Sequence, residues 1–243
     1  MRSVSLIEVL ALWEQGCGQS LLRQAILLLG EWLGQPAEET ARLTIGQRDF
    51  ALLNFRAALF GPDMVGLTVC PTCRQRVEVH MNADEIASSP PRESDQLVLL
   101  VQDGYEAQFR LPTSRDLDGL SPDADLTANR QRLLERCLVS LRRGETEVPF
   151  MDIPESLVSA VDCRLAEADP LADIQLTIDC PACRHRWETS LDIVSFLWSE
   201  VNAWAERLLT EVHLLASAYG WTEHEILHLS TTRRQFYLNL IGR

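Results

Sequence analysis

Apolar positions recur along most of this chain with a helical period. From Ser5 to Trp13 and from Ser20 to Leu33, Leu, Ile and Trp fall at i, i+3, i+4 spacing, and Gly16 and Gly18 break the run between them. A third helix is expected from Gly46 to Phe60, opening after Thr44 and stopped by Gly61-Pro62. Met81 to Glu93, which contains Ser88-Ser89-Pro90-Pro91, reads as a linker. Gln96 to Val101 and Tyr105 to Leu111 then flank Asp103-Gly104, a strong signal for two antiparallel strands joined by a tight turn. Ser114 would cap a short helix over Arg115 to Leu120, and Ser121 to Asp125 reads as an acidic loop. Leu126 to Arg143 reads as one amphipathic helix ended by Gly144, and Pro154 to Ala168 as another.

The last stretch is the most regular. Asp192 to Tyr219 is expected as a long helix carrying Phe196, Leu197, Trp204, Leu208, Val212 and Leu215, with Gly220 as its stop. Thr222 and Glu225 fit a capping box, and Ser230 starts a final helix. The Trp/Leu stripe of the long helix is read as core packing, with an apolar face kept for a partner helix as the second reading. The fold class that follows is α+β and mainly helical.

Cysteine changes this picture most. Of seven, Cys70 and Cys73 form one Cys-Pro-x-Cys turn and Cys180 and Cys183 another. Each such turn aims two thiolates at one point, and two turns supply the four ligands of a tetrahedral zinc site. The flanks match as well: Leu67-Thr68-Val69 leads into the first pair and Leu176-Thr177-Ile178-Asp179 into the second, and an Arg-x-Arg run follows each, at Arg74 and Arg76 and at Arg184 and Arg186. Both copies read as extended lead-in, metal knuckle and extended exit, each preceded by a helix, so the chain carries a degenerate repeat. The long separation of the pairs is tolerable, because loop-closure entropy grows slowly with length and a folded insertion can bring its ends together. Three readings stay open: one structural Zn2+ shared by Cys70, Cys73, Cys180 and Cys183; separate sites completed by His80 or His185; and a metal-free remnant. Cys17, Cys137 and Cys163 are expected as buried or half-buried small hydrophobes. The organisation expected is a helical segment over 1–66, the first knuckle and linker over 67–93, an acidic hairpin and helix insertion over 94–150, a helix and second knuckle over 151–192, and helices over 193–243.

Charge narrows the function classes. The formal net charge is −13, and all 22 basic residues are Arg. Residues 61–180 hold 22 of the 35 acids against 11 Arg, so the imbalance sits between and around the knuckles. Broad polyphosphate binding needs a basic face, so nucleic acid is not expected as a partner. No run of about 18 apolar residues occurs, so no membrane partner is expected, and the amphipathic start reads as a folded helix in a cytoplasmic protein. Four thiolates would leave a zinc ion no open position for catalysis, and Gly-x-Ser-x-Gly and phosphate-binding Gly loops are missing, so no enzyme is expected, although His224-Glu225-Ile226-Leu227-His228 has the His-Glu-x-x-His form. His224 and His228, four apart on a helix, are read as solvent-facing.

The order of segments resembles a known family. It runs Gly46-x-Arg48-Asp49 and Arg56-x-x-Leu59-Phe60-Gly61-Pro62, then a knuckle, then Phe109-Arg110-Leu111-Pro112-Thr113, then the second knuckle. Leu208 to His213, Ala218 to Leu229 and Arg233-Arg234-Gln235-Phe236-Tyr237 follow. From about residue 5 to 241 the chain is similar to the baseplate hub assembly chaperone family of contractile phage tails and phage-tail-like contractile injection systems. That resemblance implies a non-enzymatic assembly factor or structural component, with a baseplate hub or other tail proteins as partners. It also implies a cytoplasmic place during assembly or a place in the particle. It sets no oligomeric state and hands over no catalytic residue. The competing class on sequence is a zinc-ribbon nucleic-acid-binding or regulatory protein, using the arginines beside the knuckles.

Overall fold

The computed structural model describes residues 4–91, 97–120 and 125–241. The first helix, α1 (Leu6–Gly16), starts at Ser5, whose hydroxyl accepts the N–H of Glu8 while the Glu8 carboxylate accepts the N–H of Ser5. This reciprocal cap satisfies two of the donors that a helix start leaves open. Helix α2 (Leu21–Leu33) and the short α3 (Ala37–Thr40) lead to α4 (Ile45–Phe60), capped in the same way by Thr44 and Gln47. Then come β1 (Asp63–Val69) and β2 (Arg76–Asn82), an antiparallel hairpin closed by Val69 opposite Arg76.

The expected linker is shorter than its sequence suggests. Met81 and Asn82 belong to β2, and Ala83–Ile86 is a helical turn, α5, capped by the Asn82 side chain and held by the buried Ala83. Its last residues, Arg92 and Glu93, lie outside the described residues, as do Gln96 of the expected strand and 121–124 of the acidic loop.

Strands β3 (Val98–Gln102) and β4 (Tyr105–Phe109) form the expected hairpin around Asp103-Gly104. Both turn residues have positive φ, +52° and +80°, the geometry that Gly and Asp supply to a two-residue hairpin loop. After α6 (Ser114–Leu117), the expected helix over Leu126 to Arg143 divides in two. Helix α7 (Leu126–Cys137) stops at Leu138, and β5 (Leu138–Arg143) runs on as a strand beside β4, followed by the short β6 (Thr146–Glu147). The helix ends because the Cys137 carbonyl accepts the N–H of Arg110 at the end of β4, and Leu141 is then buried on the sheet's inner face.

Helix α8 (Glu155–Ala168) covers that face of the β3-β4-β5-β6 sheet. Phe109, Leu141, Leu157, Val158 and Val161 make a core of their own between them. The second hairpin, β7 (Gln175–Asp179) and β8 (Arg186–Ser190), leads into α9 (Ile193–Tyr219). Helix α9 buries Ile193, Leu197, Val201, Ala205, Leu208, Val212 and Leu215 along one stripe, as expected of its periodicity. Its first half completes the main core with Leu28 and Leu29 of α2 and Leu52, Leu53 and Phe55 of α4. Its second half receives α10 (Glu223–Leu227) and α11 (Thr231–Ile241), where Tyr219 stacks on Trp221 at 4.7 Å and Tyr237 meets both rings edge-on at 5.7 and 4.9 Å. The architecture is α+β and mainly helical, as the pattern of the chain predicts.

Candidate metal centre

Each knuckle is a strand end bent back on itself. After β1, the N–H of Cys70 donates to the Gln75 carbonyl (2.9 Å) and the N–H of Arg74 to the Cys70 carbonyl (3.0 Å). After β7, the N–H of Cys180 donates to the His185 carbonyl and the N–H of Arg184 to the Cys180 carbonyl, both at 2.9 Å. Arg74 and Arg184 hold the same left-handed conformation, with φ of +62° and +60°. A non-glycine residue there costs of order 1–3 kcal/mol, so its recurrence at one position marks a turn that its surroundings impose. The repeat seen in sequence is therefore also a repeat of hydrogen bonds.

The two hairpins meet at these turns. Val77 and Ile178 are buried between them, with Val79, Leu176 and Trp187 packed alongside. This brings Cys70 Sγ to 3.7 Å from Cys183 Sγ, and Cys73 Sγ to 3.6 Å from Cys180 Sγ. All four sulfurs lie within 4.8 Å of one another. Zinc–thiolate bonds of about 2.3 Å in a tetrahedron set sulfurs about 3.8 Å apart, so the cluster fits that ion in donor type, number and spacing. Cys70 and Cys180 are buried against the apolar wall, while Cys73 and Cys183 face outward.

Protonation follows an alternating pattern. The Cys180 thiol is drawn down to about 7, chiefly by the N–H of Cys183 and further by that of Ala182. For Cys70, burial raises the thiol, but the N–H groups of Cys73 and Thr72 more than compensate and bring it below its usual value. Cys73 is raised, and Cys183 is pushed up to about 12. At Cys183 the N–H of His185 pulls down, but desolvation and the three neighbouring thiols outweigh it. Four clustered thiols cannot all ionise unaided, and a cation at their centre is what would let them.

The other expected residues fall elsewhere. His80 is exposed on β2, and His185 is exposed and stacked 6.0 Å from Trp187. His224 and His228 are exposed, as expected, with rings 4.1 Å apart, and among the described residues no third ligand joins them. Cys137 is buried, and desolvation pushes its thiol up to about 12. Cys17 and Cys163, expected at least half-buried, are exposed: Cys17 follows the last turn of α1, and Cys163 sits on the outer side of α8. Of the arginines after the knuckles, Arg186 is held by the Asp179 carboxylate through two bonds of 2.8 Å.

Sequence reasoning missed the buried polar ties that fix the two lobes. Gly46 N–H donates to Asp169 at 2.9 Å, Ile45 N–H to the Pro112 carbonyl at 3.0 Å, and so the start of α4 grips both ends of the sheet lobe. A Cβ at Gly46 would stand 1.7 Å from the Asp169 carboxylate. Arg56, almost wholly buried, donates to Glu200 of α9 (2.7 and 2.8 Å) and to the Gly61 and Asp63 carbonyls. Arg110 binds Asp116 through two bonds of 2.6 Å, and Arg234 binds Glu211. The signal for these lay only in the ordered segments around Gly46, Arg56 and Arg110.

A family model described as T4 bacteriophage base plate protein matches residues 28–198, well over half of the chain and inclusive of both knuckles. No curated protein and no solved structure matches.

Proposed function

Since this chain belongs to the T4 bacteriophage base plate protein family, we propose that it is a non-enzymatic assembly factor or structural component of a contractile-tail baseplate hub, stapled by zinc and acting through protein–protein contacts. The observation that carries the reading is the family match over a segment that holds the four-cysteine cluster. Cys70, Cys73, Cys180 and Cys183 would hold one Zn2+, and the ion would supply a cross-link between β1–β2 and β7–β8. Four thiolates fill its coordination sphere, so no position is left for a substrate or an activated water. The partners would be hub or other tail proteins, met in the cytoplasm during assembly or retained in the particle. No helix among the described residues is long and apolar enough to cross a membrane.

The test is metal analysis with melting on the full chain, together with mass spectrometry of assembling particles. We expect one zinc per chain, and loss of both zinc and melting temperature in Cys70→Ser. Unchanged zinc and melting in that variant would sink the shared site. Absence of the chain from every tail-assembly intermediate would sink the baseplate role.

A further inference from the structure

The ordered segment Gly46-x-Arg48-Asp49 does more than admit Asp169 beside Gly46. Arg48 and Asp49 follow on α4, and both are buried, at 8% and 7% accessible. The Arg48 Nε–H donates to one Asp49 oxygen at 2.6 Å. Among the described residues, that is the one hydrogen bond that either side chain makes. Both terminal amino groups of the guanidinium and the second carboxylate oxygen are therefore left without a protein partner. Neither residue has an unpartnered polar atom sealed from solvent, so these free ends open outward.

They open onto a cleft of about 340 Å³ between α2, α4, α6 and the turn from β8 into α9. Leu22, Leu117 and Leu191 wall it, and the exposed Asp173 and Asp192 stand at its mouth. Small binding sites have this make-up, apolar walls with a few polar groups that fix orientation. A charged group deep in such a site bonds strongly to a complementary group and rejects one of its own sign. Here one guanidinium faces the carboxylates of Asp49, Asp173 and Asp192. Burial first, and then Asp192 and Asp169, raise the Asp49 carboxyl from its ordinary value, and Arg48 only partly offsets this. The cleft therefore has no surplus of positive charge to offer an anion.

We propose that this cleft takes a primary carboxamide on a short apolar stem, the side chain of a glutamine on another tail protein. A carboxamide carries an oxygen that accepts from Arg48 and an N–H that donates to Asp49, side by side as the pair requires. A carboxylate would meet Arg48 but also Asp49 and the two acids at the mouth. An ammonium would meet the acids but leave the Arg48 amino groups unpaired beside a like charge. The methylenes of the glutamine lie against Leu22, Leu117 and Leu191, and the exposed mouth admits a side chain reaching in from a neighbouring surface. The proposal rests on the baseplate reading only for the source of the side chain.

The probe is acetyl-Ala-Gln-Ala N-methylamide, whose glutamine supplies its primary carboxamide, compared with counterparts carrying Glu, Lys or Leu in that place. Binding to the full chain is read by NMR titration, from the amide signals of Asp49 and Asp192 and the Arg48 Nε–H. The glutamine peptide should shift these signals and bind about ten-fold more tightly than the other three. Ala172→Trp, which fills the cleft from its lining, should weaken it about ten-fold with melting unchanged. Asp49→Asn keeps the shape of the side chain and removes its charge, so it should reverse the preference and make the Glu peptide the tightest. A merely structural role for the pair would not move that preference. Equal or tighter binding of the Glu, Lys or Leu peptide to the wild type, shifts confined to other residues, or an unchanged preference in Asp49→Asn would overturn the proposal. In assembling particles Ala172→Trp should lower co-assembly. Wild-type chain absent from particles would overturn the baseplate role alone and leave the peptide result to decide the cleft.

Discussion

Arg56 places its guanidinium against Glu200, Gly61 and Asp63, and so ties the end of α4 to the start of β1 and to α9. Its principal partner lies 144 positions away, and no local pattern in one sequence announces such a pair. The four ligand cysteines were legible for the opposite reason, because two residues between thiols fix a turn wherever the rest of the chain goes. Gly46 belongs to the first kind. With the Asp169 carboxylate seated where a methyl group would stand, Gly46→Ala should lower unfolding free energy by about 1–3 kcal/mol, as overpacking does in a filled site. Urea denaturation measures it. Asp116 carries a pH dependence. Burial raises its carboxyl, but the bonds from Arg110 and Thr113 outweigh that and hold it below the usual carboxylate range. The folded state then takes up its proton less readily than the unfolded one, so this contribution is full above about pH 4, the unperturbed value, and fades as pH falls through the folded value. Unfolding curves between pH 7 and 2 should show a steeper acid loss in the wild type than in Asp116→Asn.

At the scale of elements, the capped helices and the Asp103-Gly104 hairpin were readable because their signals are local: a hydroxyl before a helix, or two residues that tolerate positive φ. The error over Leu126 to Arg143 is equally physical. Leu133, Leu134, Leu138 and Leu141 continue a helical period across the boundary, and pairing of Leu138–Arg143 with β4 overrides it. Leu141 is 4% accessible and Val139 52%, because the register slips where Phe109 pairs with Leu138 and Gln108 with Ser140, leaving Val139 as the extra, outward residue of a bulge. Leu141→Ala should cost about 2–5 kcal/mol and Val139→Ala under about 1 kcal/mol, both read from chemical denaturation. Hairpins β1–β2 and β7–β8 were legible as extended flanks of the knuckles. Their mutual burial of Val77 and Ile178 was not, since nothing in either flank names the other.

For the whole molecule, the acidic imbalance stays near the sheet lobe and the knuckles, while the main helical core runs from α1 to α9 and is crossed by both hairpins. The zinc proposal therefore has a test that spans the fold. Chelation of the full chain should raise amide exchange in β1–β2 and β7–β8 together, and leave the Phe109 and Leu157 core of the sheet lobe protected. Exchange that rises in one hairpin alone would sink the shared ion. Periodicity foretold the helical majority. It could not show that Asp169, Pro112 and Gly46 join the two lobes, because both donors and one acceptor are backbone groups that every sequence has, and the Asp169 carboxylate lies 123 positions from Gly46.

The span between the knuckles also sets a clock for synthesis. Cys180 follows Cys73 by 107 positions. Ribosomes add roughly 5–20 residues per second, so the first pair of thiols leaves the ribosome about 5–20 s before the second. During that interval β1–β2 has only half of a ligand set, and α4 lacks both Asp169 and Glu200. The nascent chain must carry two exposed thiols past the translation machinery before the rest of its fold can enclose them, and its vulnerability to oxidation is greatest before it is complete.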